Sequence, residues 1–183
     1  MAWIKTKFEG VWVFEPKIWK DERGYFLETF TTASMPEEIS KISFVQDNEA
    51  KSTRGVLRGL HYQLPPYDQT KLVRCVVGEV LDVIVDVRPG SATYGQHLSV
   101  ILNEIGKKQL FVPKGFAHSY VVLSEIAIFA YKCDNYYAPQ QEGGLLYSDP
   151  NLGIDWIIPN DELIVSEKDK NLPLFGNHKP FLL

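Results

Sequence analysis

The chain has 183 residues, of which 45% are hydrophobic and 13% aromatic, and it carries a formal net charge of −4 at pH 7. This composition excludes a disordered chain and predicts one globular domain over residues 1–183. The acidic balance excludes a sequence-independent nucleic-acid binder, which would need a basic face. The sequence has no leader pattern and no apolar run of membrane-spanning length, so we expect a cytoplasmic protein that does not enter the membrane.

Short runs rich in Val, Ile, Phe and Tyr recur along the chain and alternate with turn residues. In chain order, the predicted strands are Phe26–Phe30, Ser43–Asp47, Gly55–Gln63, Lys71–Val77, Val80–Arg88, His97–Leu102, Lys108–Val112, His118–Leu123 and Ile126–Asn135. This spacing is typical of a sandwich or barrel, so the predicted fold class is all-β. Met35–Ile42 is predicted to form one short helix with Ser34 as its N-cap, and Asp161–Asp169 is a second candidate helix.

The pair Gly78-Glu79, between two of these strands, fits the two-residue loop of a type II′ hairpin. The register that follows pairs Val77 with Val80, Cys75 with Asp82, Val73 with Ile84, and Lys71 with Asp86. Alternation then predicts one sheet face with Lys71, Cys75, Asp82 and Asp86, and an opposite face with Leu72, Arg74, Val76, Leu81, Val83 and Val85. On antiparallel sheets such a charged face is more often solvated, but the intervening Val73 and Ile84 favour a polar interior.

The histidines are the next feature with chemical meaning. His61 lies in Arg58-Gly59-Leu60-His61-Tyr62-Gln63, and His118 ends the segment Pro113-Lys114-Gly115-Phe116-Ala117-His118. Two His one residue apart on a strand, followed by Pro-x-Gly-x-x-His, are how cupin barrels assemble a metal ligand set. Here Gln63 takes the place of the second His, so we predict a barrel interior that binds no metal and serves another purpose.

Proton transfer is the chemistry that His61 favours. A lone His in an apolar run is more often structural than catalytic, but Arg58 before it and Lys71 after it favour a role in a site. Neutral imidazole accepts a proton near pH 7, and a carboxylate on its other nitrogen fixes the tautomer. Asp82 and Asp169 are both candidates for that carboxylate, and the pattern does not choose between them.

Two further side chains extend this inventory. Lys71 can stabilise a developing oxyanion, and Tyr131 can return a proton from the opposite side, although the residues alone favour ordinary aromatic core packing for Tyr131. The chain lacks a Rossmann or P-loop glycine motif and a Gly-x-Ser-x-Gly elbow, which argues against a nicotinamide enzyme, a kinase and an acyl-transfer hydrolase. Cys75 and Cys133 lie in apolar runs without metal-type spacing, and we predict buried free thiols.

Several blocks of sequence closely resemble the family of dTDP-4-dehydrorhamnose 3,5-epimerases. The blocks are Asp21-Glu22-Arg23-Gly24-Tyr25-Phe26-Leu27-Glu28-Thr29-Phe30, Phe44-Val45-Gln46-Asp47-Asn48, Arg54-Gly55-Val56-Leu57-Arg58-Gly59-Leu60-His61-Tyr62-Gln63, Lys71-Leu72-Val73-Arg74, Pro113-Lys114-Gly115-Phe116-Ala117-His118, Asp134-Asn135-Tyr136-Tyr137-Ala138-Pro139 and Asp149-Pro150-Asn151-Leu152-Gly153-Ile154-Asp155-Trp156. They occur in order over roughly residues 20–170. Any one block alone is weak, but together they are highly specific.

The resemblance implies a cupin-type jelly-roll β-barrel with a few short helices, mainly C-terminal. It also implies a homodimer whose substrate site is completed by the partner subunit, with no metal or organic cofactor. The implied reaction is epimerisation at C3 and C5 of dTDP-4-keto-6-deoxy-D-glucose, giving dTDP-4-keto-L-rhamnose in dTDP-L-rhamnose biosynthesis.

The resemblance also implies roles for individual residues. His61 would be the base, oriented by Asp169, with Tyr131 as the acid on the other face of the sugar and Lys71 beside the enolate. The implied substrate-binding residues are Arg23, Phe26, Glu28, Gln46, Asn48, Arg58, Asp82, His118 and Tyr137.

One departure and three alternatives accompany this interpretation. Family members usually read Asp-Asn-His-Ser where this chain reads Asp47-Asn48-Glu49-Ala50, and Glu49 would weaken anion binding if it pointed inward. The nearest alternative is a single-site epimerase acting at C3 or C5 of a dTDP-4-keto-6-deoxysugar in another deoxysugar pathway. A metal-dependent cupin and a non-catalytic sugar-binding jelly roll are the other two.

Overall fold

The computed structural model describes residues 1–182, and its regular elements are nearly all strands. The strands are β1 (Ala2–Lys5), β2 (Trp12–Glu15), β3 (Trp19–Asp21), β4 (Gly24–Phe26), β5 (Gln46–Thr53), β6 (Val56–Gln63), β7 (Lys71–Val77), β8 (Glu79–Asp86), β9 (His97–Asn103), β10 (Gln109–Val112), β11 (Phe116–Val122), β12 (Ile126–Cys133), β13 (Glu142–Gly144) and β14 (Ile164–Val165). The helical elements are α1 (Glu167–Lys170) and 3-10 turns at Thr32–Ser34, Pro139–Gln141 and Asn160–Glu162. The all-β prediction with a few short, mainly C-terminal helices is confirmed.

The strands form two large sheets and one separate hairpin. Sheet I has the order β1-β2-β10-β7-β12-β5, and sheet II has the order β13-β6-β11-β8-β9 with β14 added to β6. Strands β3 and β4 pair only with each other, within the part of the chain that the structure describes. Among residues 1–182 no ladder joins sheet I to sheet II, so the jelly-roll arrangement is a pair of stacked sheets rather than one continuously bonded barrel.

The main core lies between the two sheets. Alternate residues of each strand point into it, including Val73 and Cys75 from β7, Ile84 from β8 and Phe129 from β12. Burying such apolar side chains from both sheets supplies most of the stabilisation of a β-sandwich. The core fills one part of the space between the sheets, and the remainder is a cavity lined by both polar and apolar side chains.

Each sheet also has a covered outer face. Residues from the C-terminal part of the chain, including Trp156 and Phe181, pack on the outside of sheet II against Leu60 and Val83. Because β8 and β11 are therefore covered on both faces, their residues are buried consecutively along the strand and not only at alternate positions. On sheet I a smaller cluster forms where residues 30–44 cross the outer face.

The predicted hairpin through Gly78-Glu79 is wrong. Strand β7 pairs with β10 and β12 in sheet I, whereas β8 pairs with β11 and β9 in sheet II. Gly78, with φ of +78°, is the corner where the chain passes from one sheet to the other. A glycine before a strand is compatible with a tight hairpin and also with a corner where the chain passes between two sheets. Only the pairing of distant strands distinguishes these two arrangements.

Part of the prediction about which side chains point into the interior is nevertheless correct. Lys71, Val73 and Cys75 do point into the interior, as do Asp82 and Ile84, but they do so from opposite sheets. The predicted common apolar face does not exist, since Leu72 packs outside sheet I and Leu81, Val83 and Val85 pack outside sheet II. The Asp86 carboxylate accepts hydrogen bonds from the side chains of Arg88, Ser91 and Thr93.

Four other predicted elements differ from the structure. Met35–Ile42 forms successive turns with i to i+3 hydrogen bonds instead of a helix, because Met35 and Ile39 are drawn onto sheet I. Asp161–Asp169 is split by β14, which pairs in parallel with β6. Only Phe26 of Phe26–Phe30 lies in a strand, and Ser43–Asp47 lies largely ahead of β5, which begins at Gln46.

Candidate active site

A cavity opens between sheets I and II where the apolar core ends. Its larger compartment has a volume of about 610 Å³ and its smaller compartment about 350 Å³. Three side chains line both compartments: His61 from sheet II, and Lys71 and Tyr131 from sheet I. The side chains predicted to act as base, oxyanion partner and acid therefore meet at the junction of the two compartments.

His61 is paired with Asp169. Its Nε2 lies 2.6 Å from Asp169 Oδ1, and the Gly59 N–H donates to Oδ2 of the same carboxylate at 3.3 Å. Asp169 reaches this position because β14 pairs beside Leu57 of β6 and α1 then turns back over the strand. Ser166 caps α1 by accepting a hydrogen bond from the Asp169 N–H at 3.1 Å. Of the two carboxylates that the sequence left open, the structure thus pairs His61 with Asp169.

The charge on Asp169 is stabilised by these contacts. Burial by itself would raise the pKa of the Asp169 carboxyl, but the hydrogen bonds from His61 and from the Gly59 N–H hold that pKa below its usual value. An ionised Asp169 fixes the imidazole orientation and stabilises the imidazolium that forms when His61 takes up a proton. The arrangement suits His61 to act as a general base.

A second His–Asp pair lies beside the first. His118 on β11 is directly opposite His61 on β6, and its Nε2 lies 2.8 Å from Oδ2 of Asp82 on β8. Asp82 is fully buried, and its Oδ1 has no hydrogen-bond partner among the described residues. The two predicted neighbours of His61 are therefore brought together as a pair and lie on the same sheet.

Lys71 and Tyr131 face these histidines from sheet I. Burial lowers the pKa of the Lys71 ammonium, and the nearby Cys133, Asp82 and Glu142 partly oppose that effect. The Lys71 ammonium makes no hydrogen bond or ion pair within residues 1–182. Burial raises the pKa of the Tyr131 hydroxyl, which keeps its proton available at neutral pH. A ligand between the sheets would thus have a base on one side and a proton donor and a cation on the other.

The smaller compartment contains three of the predicted substrate-binding residues. Gln46 and Asn48 on β5 line it and are hydrogen-bonded to each other at 2.9 Å. Tyr137 lines it too, and its hydroxyl donates to Glu142 Oε2 at 3.3 Å. Arg58, by contrast, lines the larger compartment, on the other side of His61.

Three predicted binding residues lie apart from the cavity. Arg23 and Phe26 belong to the β3–β4 hairpin, and Glu28 follows it; all three are exposed. The side chain of Phe26 is 67% exposed, and Arg23 forms an ion pair with Asp21 at 2.6 Å within its own hairpin. None of the three lines either compartment of its own chain.

Glu49 is placed on the side of β5 that faces away from the larger compartment. Burial alternates along this strand, so that Asn48 and Ala50 are partly buried whereas Glu49 is exposed. Ala50 lines the larger compartment, and Glu49 borders a shallow depression on the outer face of sheet I with Arg74. The departure from the usual family sequence therefore brings no carboxylate into the cavity.

Several cavity residues were not singled out from the sequence, and four of them carry polar groups near the predicted site. Tyr120 and Ser166 line the larger compartment, Glu142 lines the smaller one, and Lys168 lines the larger one while bonded to Glu142. Tyr120 had a usable signal, because it is two residues after His118 on the same strand and so shares its face. The other three follow irregular segments, where no periodicity predicts the direction of a side chain.

The two cysteines of the chain are not bonded to each other. Cys75 and Cys133 are buried free thiols as predicted, and burial raises the pKa of each to about 11. Cys133 lines the smaller compartment.

Within residues 1–182 no cluster of three or more His, Cys, Asp or Glu side chains is arranged to hold a metal ion. The described part of the chain has no helix that is long and apolar enough to cross a membrane.

Comparison with known proteins gives a consistent result. The family model described as dTDP-4-dehydrorhamnose 3,5-epimerase matches residues 5–177. The enzyme of that name from Shigella flexneri is 52% identical over 169 residues, which are 92% of each chain. A crystal structure of dTDP-6-deoxy-D-glucose-3,5-epimerase from Legionella pneumophila, in complex with dTDP-4-keto-L-rhamnose, is 44% identical with a TM-score of 0.92, covering 100% of this chain and 98% of that one.

A related enzyme with a narrower activity is also similar. ChmJ, a 3′-monoepimerase from Streptomyces bikiniensis crystallised with dTDP-quinovose, is 35% identical with a TM-score of 0.86, covering 94% of this chain and 87% of that one. The family match over most of the chain, the high identities and the shared architecture all point the same way. This chain belongs to the dTDP-4-dehydrorhamnose 3,5-epimerase family of isomerases.

Proposed function

We propose that this protein epimerises dTDP-4-keto-6-deoxy-D-glucose at C3 and C5 to give dTDP-4-keto-L-rhamnose, in dTDP-L-rhamnose biosynthesis. The observation that carries the proposal is the placement of His61, held by Asp169, opposite Tyr131 and Lys71 across one cavity. Inverting a carbon needs a base on one face of the sugar and an acid on the other. The two sheets supply these groups from opposite walls.

The chemistry follows from the ketone at C4. It acidifies the protons at C3 and C5, and His61 accepts one of them while Asp169 stabilises the resulting imidazolium. The electrons of the broken C–H bond form an enolate, whose oxygen Lys71 stabilises as a nearby cation. Tyr131 then donates a proton to the same carbon from the other face. Every step is a proton transfer between side chains and substrate, so we propose a reaction that uses no metal or organic cofactor.

We further propose that the nucleotide occupies the smaller compartment. Gln46 and Asn48 offer amide donors and acceptors there, and the exposed Tyr137 ring offers a stacking surface for a base. In a homodimer the β3–β4 hairpin of the partner subunit would bring Arg23 and Phe26 to this mouth. The hairpin's exposed apolar surface, which lines neither compartment of its own chain's cavity, supports this arrangement. A cytoplasmic location stays our prediction.

A single-site epimerase is the second candidate. It is favoured by one specific comparison, the similarity of ChmJ, which is a 3′-monoepimerase. The same base, acid and cation serve inversion at one carbon or at two, because the difference depends on whether the sugar is held so that both carbons reach His61. The arrangement of side chains alone therefore supports both activities.

Product stereochemistry separates the two candidates. Purified protein is incubated with dTDP-4-keto-6-deoxy-D-glucose, and the ring proton couplings of the product are read by NMR. We expect inversion at both C3 and C5; inversion at one carbon only would assign the single-site activity. Activity should persist after dialysis against a chelator, and a requirement for added iron, manganese or zinc would contradict the cofactor-free mechanism.

A further inference from the structure

The hydroxyl of Tyr120 is a buried polar group in the cavity wall that no part of the proposed mechanism uses. Tyr120 is 5% exposed and lines the larger compartment, yet its Oη makes no hydrogen bond to any of residues 1–182. Buried hydroxyls are nearly always paired, since an unpaired one loses its bonds to water without replacement. An unpaired hydroxyl in the wall of a ligand cavity is therefore accounted for if the ligand supplies its partner.

The surroundings fix where this hydroxyl points. Tyr120 follows His118 by two residues on β11, so both side chains enter the space between the sheets. Its ring stacks on Phe129 from the opposite sheet, with centroids 4.1 Å apart. Ser52 and Arg58 lie close to the hydroxyl and counteract the rise in its pKa that burial causes. Neither residue makes a hydrogen bond of ordinary length and angle to it, and Arg58 Nε donates to Ser52 Oγ at 3.2 Å. The ring is thus held in place, and its hydroxyl is left without a well-formed hydrogen bond.

The layout of the cavity indicates which part of a nucleotide sugar comes here. Gln46, Asn48 and Tyr137 line the smaller compartment, whereas Tyr120 lines only the larger one. His61 stands at the junction of the two. A nucleotide sugar is linear, with the sugar at one end. If the nucleotide fills the smaller compartment and the reacting carbons lie at His61, the far edge of the hexose extends toward Tyr120.

We infer that the Tyr120 hydroxyl hydrogen-bonds a ring hydroxyl of the hexose and makes Tyr120 a specificity-determining residue for the sugar. This inference rests on the proposed function, because that function places the hexose beyond His61. It assigns Tyr120 to the sugar and not to the diphosphate or the base. A nucleotide without a hexose would not reach the Tyr120 hydroxyl.

Tyr120→Phe removes only the hydroxyl and provides the test. We measure binding of dTDP-L-rhamnose and of dTDP by calorimetry, and Tm without ligand. Losing one neutral hydrogen bond predicts a Kd for dTDP-L-rhamnose raised about fivefold. The Kd for dTDP should not change, and Tm should not fall, since the free protein loses no hydrogen bond. Tyr94→Phe is the matched control, because Tyr94 is exposed and lines neither compartment; it should change neither Kd.

Three outcomes would overturn the inference. Unchanged binding of dTDP-L-rhamnose would mean that the hydroxyl does not meet the sugar. Equal weakening for dTDP would place the contact on the nucleotide, and a fall in Tm with unchanged binding would show a purely structural role. These readouts need no turnover. A wild-type protein that binds both ligands but does not convert the 4-keto sugar would refute the proposed function and not the Tyr120 contact.

Discussion

At the scale of single residues, the site depends on a few polar side chains that are held at a cost to the free protein. Lys71 is the clearest case, because its partly buried ammonium lines the cavity without an ion-pair partner among the described residues, and desolvation lowers its pKa. Such a group destabilises the fold that contains it, and it persists where function needs the charge. The same reasoning applies to the unpaired hydroxyl of Tyr120.

Lys71→Met should therefore separate stability from activity. We expect Tm to rise by about 2–4 °C, since a partly desolvated charge is replaced by an apolar chain of similar length, while kcat falls at least about 100-fold. Lys132→Met is the control, because the Lys132 ammonium is paired with Asp47 at 2.8 Å and gains nothing from the change. Thermal melts give Tm and initial rates give kcat for each variant. A Tm of Lys71→Met below that of the wild type would contradict the view that the Lys71 charge destabilises the fold.

The same lysine predicts the alkaline limb of the pH profile. Its lowered pKa means that the charge is lost as pH rises through a value below the ordinary one of about 10.4, whereas the Tyr131 hydroxyl, with a raised pKa, is still protonated there. Activity should thus fall at high pH through loss of the Lys71 charge. In Lys71→Arg the residual activity should lose this limb, because the guanidinium stays charged. A limb at unchanged pH in that variant would assign it to another group.

At the scale of elements, one turn of helix carries the orientation of the base. Helix α1 has only four residues and is placed by β14, which pairs in parallel with β6 close to His61. Its cap, Ser166, accepts a hydrogen bond from the N–H of Asp169, the residue that holds His61. So short a helix has little stability of its own, and the cap contributes a large part of it.

Ser166→Ala should consequently lower kcat several-fold with little change in KM. The lost cap, worth about 0.5–2 kcal/mol, lets Asp169 move away from His61 without disturbing the nucleotide compartment. Ser166→Thr should restore most of the rate, because Thr also caps helices. Ser40→Ala, which removes a comparable bond to a turn backbone far from the cavity, serves as control. Loss of kcat in Ser166→Ala without rescue by Thr would argue against a positioning role.

The elements also show how far sequence reasoning extends. Strands such as β7 and β12 were predicted nearly to their ends because their β-branched and aromatic runs are bounded by turn residues. The pairing of β7 with β8 was wrong, since a local turn pattern does not specify which distant strand completes a sheet. Likewise the choice between Asp82 and Asp169 as the partner of His61 needed β14 on β6, a contact between segments about 108 residues apart.

At the scale of the whole molecule, the site exists only because two sheets face each other. His61 lies on sheet II and is bonded to Asp169 in the adjacent helix α1, whereas Lys71 and Tyr131 lie on sheet I. His61 and Lys71 lie in the blocks that resemble the family, and the resemblance implied roles for Asp169 and Tyr131 as well. The opposition of these side chains across a cavity is a property of the stacked sheets. The proposed homodimer would assemble the nucleotide end of the site in a similar way, because Arg23 of the partner subunit would complete it.

Subunit mixing tests this shared site. Arg23→Ala damages the residue that a chain gives to its partner, and His61→Asn damages the residue that it keeps. If sites are shared, a mixed dimer contains one intact site, so equal mixing of two weak variants should restore activity to about a quarter of the wild-type rate at limiting substrate. Mixing two portions of His61→Asn is the control. Absence of any gain after verified subunit exchange would contradict a shared site.

Proton exchange at the sugar carbons tests the central claim most directly. Wild-type protein and His61→Asn are each incubated with dTDP-4-keto-6-deoxy-D-glucose in D₂O, and deuterium at C3 and C5 is followed by NMR. We predict that wild type places deuterium at both carbons of an L-configured product. The His61→Asn variant, folded and still binding dTDP, should exchange at least about 100-fold more slowly at both. Exchange at a comparable rate in His61→Asn would show that His61 is not the base.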